Sequence, residues 1–220
     1  VCTGNKARAM SSLFVPKFDP FYVDIVAHEF GHQFAAQHSF NKCDEMNENP
    51  STGWEPGSGS TIMSYSGSCG INNVQDNSGA YFHGGSLEQM KVFVTTGAGA
   101  GCANAEPTAN EVPTVSLSYT NGFTIPISTP FKLHAEATDA NNDNLTYCWE
   151  QMDTGPITDA GSPVLNSPLF RSFDPTSDSM QWFPQQFRII QNFNSKFELL
   201  PTYTRDMNFR VTVRDNNPEV

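Results

Sequence analysis

The sequence predicts an α+β chain in which a loop-rich first unit with two helices is followed by an all-β second unit. A 3.6-residue apolar period over residues 20–34 predicts the main helix. A linker-like stretch rich in Asn, Ala, Glu and Pro occupies 104–112, and beyond it apolar residues recur at every second position, as in half-buried strands. We therefore expect the first unit over residues 1–103, the linker over 104–112 and a β-sandwich over 113–220.

Composition excludes several classes of function. The formal net charge of −11 argues against nucleic-acid binding, because phosphates need a basic surface. No stretch approaches the ~20 apolar residues that span a membrane, and none resembles a cleavable signal. Only 16% of the residues are charged, while Asn, Ser, Thr, Gly and Pro are plentiful, which is typical of loop-rich extracellular proteins. We expect a secreted protein, and we take the chain, which starts shortly before its main motif, for a piece of a longer precursor.

The predicted first helix carries two histidines on one face. Asp19 is suited to cap this helix and Pro20 to begin it, so it should run over about Pro20–Phe34. His28 and His32 are four residues apart and therefore share a face, a spacing that two ligands of one metal ion can use.

A third histidine, His38, would lie on the wrong side of a continuous helix. It joins the other two only if the helix ends near Ala35 and the chain turns sharply. Three histidine ligands leave one tetrahedral position of a zinc ion to water, whose pKa can fall to about 7, and Glu29 is the natural base for that water. The pattern predicts a zinc hydrolase, although two histidines with a glutamate between them also arise by chance on ordinary helices.

A second signal is the Gly- and Ser-rich turn Gly59-Ser60-Thr61-Ile62-Met63-Ser64-Tyr65. Together with the segment from His28 to His38, it resembles the metzincin clan of zinc endopeptidases, with an extended H-E-x-x-H-x-x-G-x-x-H motif and a Met-turn. The residues around the motif look most like bacterial secreted relatives of the reprolysin/adamalysin group. The resemblance covers about residues 1–103. It implies a catalytic lower subdomain made of an active-site helix, a Met-turn and a carboxy-terminal helix, the last opened by a capping box at Ser86 and ending near Val94.

The metzincin resemblance implies the chemistry of the site. His28, His32 and His38 would bind Zn2+. Glu29 would act as general base for a zinc-activated water that hydrolyses peptide bonds. Glu88 is the alternative third ligand, because the other large H-E-x-x-H clan takes a glutamate from a later helix, but His38 favours the metzincin interpretation.

The resemblance also assigns supporting roles. Met63 would form a soft apolar floor beneath the ligands. Tyr65 is a candidate transition-state stabiliser, with packing in the turn as the simpler alternative, and residues 66–85 would set specificity. His83 could be a spare ligand, but a structural role is the better interpretation. Where the family has glycine at the turn before the last ligand, this chain has Ala35, which costs about 1 kcal/mol in the left-handed region.

None of the cysteines is in C-x-x-C spacing, so they favour disulfides with one cysteine left over. A Cys43–Cys69 bridge would clamp the segments after His38 and after the Met-turn around the metal. A second bridge would then join Cys2 to Cys102. Connectivity does not follow from sequence, so this pairing remains one alternative.

The second unit should consist of antiparallel strands with one apolar face each, independent of the first unit and without a catalytic residue. The segment Asp139–Trp149 resembles the turn and tryptophan strand of immunoglobulin-like domains of the polycystic-kidney-disease or cadherin-like type, over roughly residues 113–220. Cys148 should face away from Trp149 and remain a free thiol. The residues expected on the inward faces are Val115, Leu117, Phe131, Leu133, Leu145, Tyr147, Trp149, Phe209, Val211 and Val213.

The turn before the tryptophan strand offers oxygen ligands at alternate positions. Asp139, Asn141 and Asp143 could hold Ca2+, although the same stretch is also an ordinary Asx-rich turn.

The sequence is best interpreted as a secreted zinc metalloendopeptidase that acts on protein or peptide substrates. The alternative is a non-catalytic adhesion or glycan-binding protein with a relict zinc site. The amino-terminal half of a metzincin domain carries the sheet that pairs with substrate, and we expect the present chain to lack it.

Overall fold

The computed structural model describes residues 11, 12, 14, 16–43, 47–102, 106–119 and 122–217. Helix α1 is continuous, π-helical over Pro20–Ala27 and α-helical over His28–Gln33. The other helices are α2, Gly84–Thr95, and α3, Gln186–Gln191, and a 3₁₀ turn covers Gly70–Asn72. Within the described ranges no helix has the length and apolar character needed to cross a membrane.

The strands form three antiparallel ladders of two strands each. They pair β1 (Thr114–Ser116) with β3 (Glu136–Thr138), β2 (Phe131–His134) with β5 (Met180–Phe183), and β4 (Thr146–Gln151) with β6 (Phe209–Arg214). The chain therefore combines helices with small antiparallel sheets. The immunoglobulin-like sandwich stays a prediction.

Apolar residues alternate over residues 131–138, which predicts a single strand there, but the strand is divided at Ala135. Its N–H donates to the carbonyl of Ser179 at 3.2 Å, on the β5 side, whereas Ala137 pairs with Val115 of β1. The strand thus changes partner at Ala135, which alternation within one segment could not indicate.

Helix α1 begins differently from the expectation. Asp19 has helical dihedral angles, φ −52° and ψ −40°, and its side chain makes no capping hydrogen bond, so the predicted cap is wrong. Pro20 does occupy the first turn, where its missing N–H costs nothing. In the α-helical part only His28 and Gly31 are buried, while Phe30 is 59% exposed. Helix α1 therefore packs mainly on one side.

Helix α2 begins two residues before the capping box expected at Ser86. Its N-cap residue is His83, whose Nδ1 accepts a hydrogen bond from Gly85 N at 3.1 Å. Ser86 lies inside the helix, and its buried Oγ has no hydrogen-bond partner among the described residues. The predicted box is therefore wrong.

The second region has an aromatic core. Most residues expected to face inward line this core or pack against it. The exceptions are Val115, which is 41% exposed, Leu145 and Val213, none of which packs against this core. The buried members are Phe131, Leu133, Ala135, Trp149, Leu169, Phe170 and Phe183.

The opposite face of β4 is buried against the first region. Cys148, a free thiol as expected, and Glu150 are 2% and 1% exposed. Glu150 Oε2 accepts a hydrogen bond from Gly84 N at 2.7 Å, and Tyr81 donates from its hydroxyl to Ser172 Oγ at 2.9 Å. These buried contacts favour mutual dependence of the two regions over an independent sandwich, and the boundaries at 103 and 113 stay predictions.

Candidate metal centre

The structure brings the imidazoles of His28, His32 and His38 together. Their ligand nitrogens lie within 4.8 Å of one another, and His32 Nε2 is 3.2 Å from His38 Nε2. Zinc–nitrogen bonds of about 2.0–2.1 Å in a tetrahedral arrangement place neighbouring nitrogens roughly 3.3–3.4 Å apart. The separation between His32 and His38 is close to this value, and the three imidazoles are placed to hold one metal ion. Across the described ranges, no other group of histidine, cysteine or acidic side chains is arranged to hold a metal.

Each imidazole is oriented through its other ring nitrogen. A backbone carbonyl only accepts hydrogen bonds, so Nδ1 carries the proton and the Nε2 lone pair is left for a metal. The Nδ1–carbonyl pairs are His28–Ile62 at 2.8 Å, His32–Ala36 at 2.7 Å and His38–Asn47 at 3.0 Å.

The sharp turn expected near Ala35 is present. Ala35 has φ +69°, in the left-handed region. Ala35 N donates to His32 O and Ala36 N donates to Gly31 O, both at 3.0 Å, the pattern of a helix end closed by a left-handed residue. This turn reverses the chain so that His38 approaches the helix, although alanine there costs roughly 1–2 kcal/mol relative to glycine.

The Met-turn packs directly against α1. Met63 is fully buried, and its sulfur occupies the space that a Cβ at Gly31 would need. Its carbonyl accepts a hydrogen bond from Ser39 N at 3.0 Å, while the preceding carbonyl, of Ile62, orients His28. The Met-turn therefore contacts the helix, the first histidine and the residue after the third.

One buried acidic residue of this region was not expected from the sequence. Glu55 is 0% exposed, and its carboxylate accepts hydrogen bonds from Ser39, Ser60 and Thr61. The available signal was a lone glutamate in Trp54-Glu55-Pro56-Gly57, ahead of a run of hydroxyl residues.

Tyr65 lies beside the third histidine. Its ring centroid is 4.7 Å from that of His38 and 4.5 Å from that of Phe40. Asn47 Nδ2 donates to the Tyr65 hydroxyl at 3.4 Å. Both the packing role and the catalytic role are compatible with this position.

The protonation of the histidines suits metal binding. Burial lowers the pKa of His28 to about 4, and burial also lowers the pKa of His38. Both are therefore neutral near pH 7, as ligands must be. The carboxylate of Glu29 is half-buried beside them and forms no hydrogen bond or ion pair with any described residue.

The Cys43–Cys69 disulfide is present, as expected. It joins the segment after the third histidine to the segment after the Met-turn. Cys102 is also disulfide-bonded, but the expected second pair involves Cys2, which lies outside the described residues.

The other candidate ligands lie elsewhere. Glu88 forms an ion pair with Arg210 rather than joining the histidines. In the loop proposed for Ca2+, Asp139 Oδ1 accepts hydrogen bonds from the backbone N–H groups of Asn141 and Asp143, at 2.9 and 3.0 Å. This is the Asx-turn alternative, and calcium is not supported.

Comparison with known proteins finds a similarity that lies in the first region. Residues 2–92 match the model of metallo-peptidase family M12B, reprolysin-like. The matched range contains the three histidines, Glu29 and Met63, and it ends within α2. The chain matches no curated protein and no solved structure.

Proposed function

We propose that this chain, which carries a reprolysin-like M12B metallopeptidase domain over residues 2–92, is a secreted zinc-dependent endopeptidase of the metzincin clan. The observation that carries the proposal is the convergence of the imidazoles of His28, His32 and His38, with Glu29 next to His28 in the sequence. M12B metallopeptidases use zinc, and the spacing of these nitrogens suits that ion. Proteins or peptides would be the substrates.

Zinc would be held by Nε2 of His28, His32 and His38. When bound, it would lower the pKa of water and polarise the carbonyl of the scissile peptide bond. The three backbone carbonyls behind the imidazoles support this role, because they fix the rings in one tautomer.

Glu29 would act as the general base. Its carboxylate would take a proton from the attacking water and return it to the amine of the departing peptide. Its position next to His28 in the sequence supports this role, as does the absence of a hydrogen bond or ion pair between its carboxylate and any described residue. The Tyr65 hydroxyl would stabilise charge that develops on the carbonyl oxygen, as its ring beside His38 suggests.

The surroundings of the site support two further parts of the proposal. Residues 66–85, which lead from the Met-turn to α2, would form the wall that selects the side chain of the substrate. The Cys43–Cys69 disulfide is a kind of bond that persists in oxidising compartments, so it supports secretion. The region over 113–220 would be an immunoglobulin-like accessory domain.

Replacing Glu29 by Gln tests the proposal. Cleavage of an unstructured protein such as casein should fall by at least ~10²–10⁴, the contribution of general acid–base catalysis. Zinc content should stay at the wild-type level, because Glu29 is not a ligand. Glu136→Gln, on an exposed strand position, is the matched control and should retain full activity.

Two outcomes would contradict the proposal. If Glu29→Gln cleaved casein at the wild-type rate, Glu29 would not be the base. If wild-type activity survived a chelator that removes zinc, the reaction would not depend on the metal. Binding of zinc without any cleavage would instead favour an adhesion or glycan-binding protein with a relict site.

A further inference from the structure

We propose that Glu55 is a positioning residue of the metal site, whose buried carboxylate joins the segment after His38 to the Met-turn and thereby sets the place of the third ligand. The inference rests on the proposed function, because it assumes that His38 binds zinc. Glu55 itself touches neither the metal nor the substrate in this scheme.

The carboxylate of Glu55 is surrounded by donors. Oε1 accepts from Ser60 N at 2.8 Å and from Ser60 Oγ at 3.0 Å. Oε2 accepts from Ser39 Oγ and from Thr61 Oγ1, both at 2.6 Å. Ser39 follows the third histidine, while Ser60 and Thr61 belong to the Met-turn. One carboxylate therefore bridges the two segments that must come together at the metal.

Backbone hydrogen bonds reinforce this bridge at Ser39. Glu55 N donates to Ser39 O at 3.0 Å, and Ser39 N donates to Met63 O at 3.0 Å. All three polar groups of Ser39 are thus bonded to Glu55 or to the Met-turn. The carbonyl of His38 is held as well, by Thr52 Oγ1 at 2.7 Å.

His38 depends on this support because it has no helix behind it. Helix α1 ends at Gln33, and the chain then passes through the left-handed turn at Ala35. The backbones of His28 and His32 belong to helix α1, whereas the backbone and ring of His38 are held by contacts to residues 47–63. Substitution of Glu55 should therefore displace His38 more than it displaces His28 or His32.

The chemistry of the contacts calls for a carboxylate. Ser60 N is an obligate donor to Oε1, and the hydroxyls of Ser39 and Thr61 donate to Oε2, so both oxygens accept. The single proton of the Ser60 hydroxyl is shared between Oε1 and the carbonyl of Ser172. Glutamine could keep its carbonyl oxygen towards Ser60 and turn its amide towards the hydroxyls of Ser39 and Thr61. Those hydroxyls would then have to accept and could no longer donate to Glu55. Burial makes this rearrangement costly, since Glu55, Ser39 and Thr61 are all 0% exposed.

The test compares zinc affinity in Glu55→Gln and in the wild type, measured by competition with a chromophoric chelator. Partners that orient metal ligands typically contribute 10–100-fold to metal affinity, and we expect a weakening within that range. Cobalt substitution gives a second readout, because loss of one imidazole should change the visible absorption band of the bound Co2+. At saturating zinc, kcat should fall while KM changes little.

A matched control separates positioning from general destabilisation. Leu133→Val removes a methylene group from the core of the second region, a cluster separate from the one that contains Met63. It should lower the melting temperature while leaving zinc affinity and the cobalt spectrum unchanged. Should Glu55→Gln fail to fold, Ser39→Ala and Thr61→Val each delete one donor to Oε2 and should weaken zinc binding in the same direction.

The outcomes distinguish the two proposals. If the wild type binds zinc and cleaves casein, but the variants at residues 55, 39 and 61 keep its zinc affinity and cobalt spectrum, the role of Glu55 is overturned and the proposed function stands. If the wild type binds no zinc, both fall together.

Discussion

The sulfur of Met63 lies where a Cβ at Gly31 would have to stand, well inside van der Waals contact. Gly31 is the residue before the second histidine and lies on the buried side of α1. Its lack of a side chain is therefore what allows the Met-turn to approach the helix. The approach in turn places the carbonyl of Ile62 at His28 and the carbonyl of Met63 at Ser39.

Gly31→Ala should destabilise the protein, even though alanine favours a helix over glycine by about 1 kcal/mol. Overpacking against Met63 costs about 1–3 kcal/mol, and we expect it to outweigh that gain. Zinc affinity should fall as well, because the Met-turn positions two of the histidine segments. Gly101→Ala is the control, since a Cβ there meets no atom within 4 Å. A Gly31→Ala variant as stable as wild type in thermal unfolding would show that the close approach is not required.

Ala35→Gly should stabilise the protein slightly. The left-handed conformation of Ala35, at φ +69°, costs about 1–2 kcal/mol that glycine would not incur. Glycine also makes the unfolded chain more flexible, which lowers the free energy of unfolding by roughly 0.4–1 kcal/mol. We expect a net gain of up to ~1.6 kcal/mol in denaturant unfolding, together with zinc binding that is as tight or tighter.

Ala98→Gly controls for the unfolded-state effect. Ala98 is exposed and has no positive φ, so glycine there should cost stability without any release of strain. If Ala35→Gly lost as much stability as Ala98→Gly, the turn would not be strained in solution.

The protein should lose stability at alkaline pH through the interface between its two regions. Burial is the main cause that raises the pKa of the Cys148 thiol, and the negative charge of Glu150 raises it further. Burial also raises the pKa of Tyr81. Since the folded pKa is above the unfolded one, stability is complete below pH ~8.5 and is lost as the unfolded thiol ionises above it. The free energy of unfolding should therefore decline from pH 8.5 to 10.

Cys148→Ala isolates the thiol in this alkaline decline. The variant lacks an ionisable group at the interface, so its stability should decrease less steeply over the same pH range. The comparison is made relative to pH 7, where the thiol is neutral in both states. Equal slopes for wild type and Cys148→Ala would refute the role of the thiol.

The parts of the site that depend on near neighbours could be predicted from the sequence. The four-residue spacing of His28 and His32 fixes a shared helix face, and His38 could join them only through a turn near Ala35. That turn is observed, at the position where the family pattern has glycine. The strand alternation likewise located β2, β4 and β6, because alternation is a property of the segment itself.

The buried acidic residues could not be predicted from the sequence, because their hydrogen-bond partners are distant along the chain. Glu55 bonds to Ser39 across 16 residues, and Glu150 bonds to Gly84 across 66. In sequence each is an isolated acid, which is most often a solvated surface residue. In β4, Cys148 and Glu150 lie on the face opposite Trp149, and that face is buried as well. It is covered by Ser172 and Phe173 and by the first region at Gly84.

Glu150→Gln should therefore destabilise both regions together. Glu150 accepts from Gly84 N at the start of α2 and from Ser172 Oγ, each at 2.7 Å, and lies 3.8 Å from His83 Nε2. An amide cannot accept from both donors, and one buried group without a partner costs about 1–3 kcal/mol. We expect a lower melting temperature with one cooperative transition, and an unstable first region in a chain ending at residue 103.

Glu136→Gln, on an exposed position, is the control and should stay within ~0.5 kcal/mol of wild type. Two separate transitions, or an unchanged midpoint for Glu150→Gln, would mean that the second region is the independent module that its strand pattern first suggests.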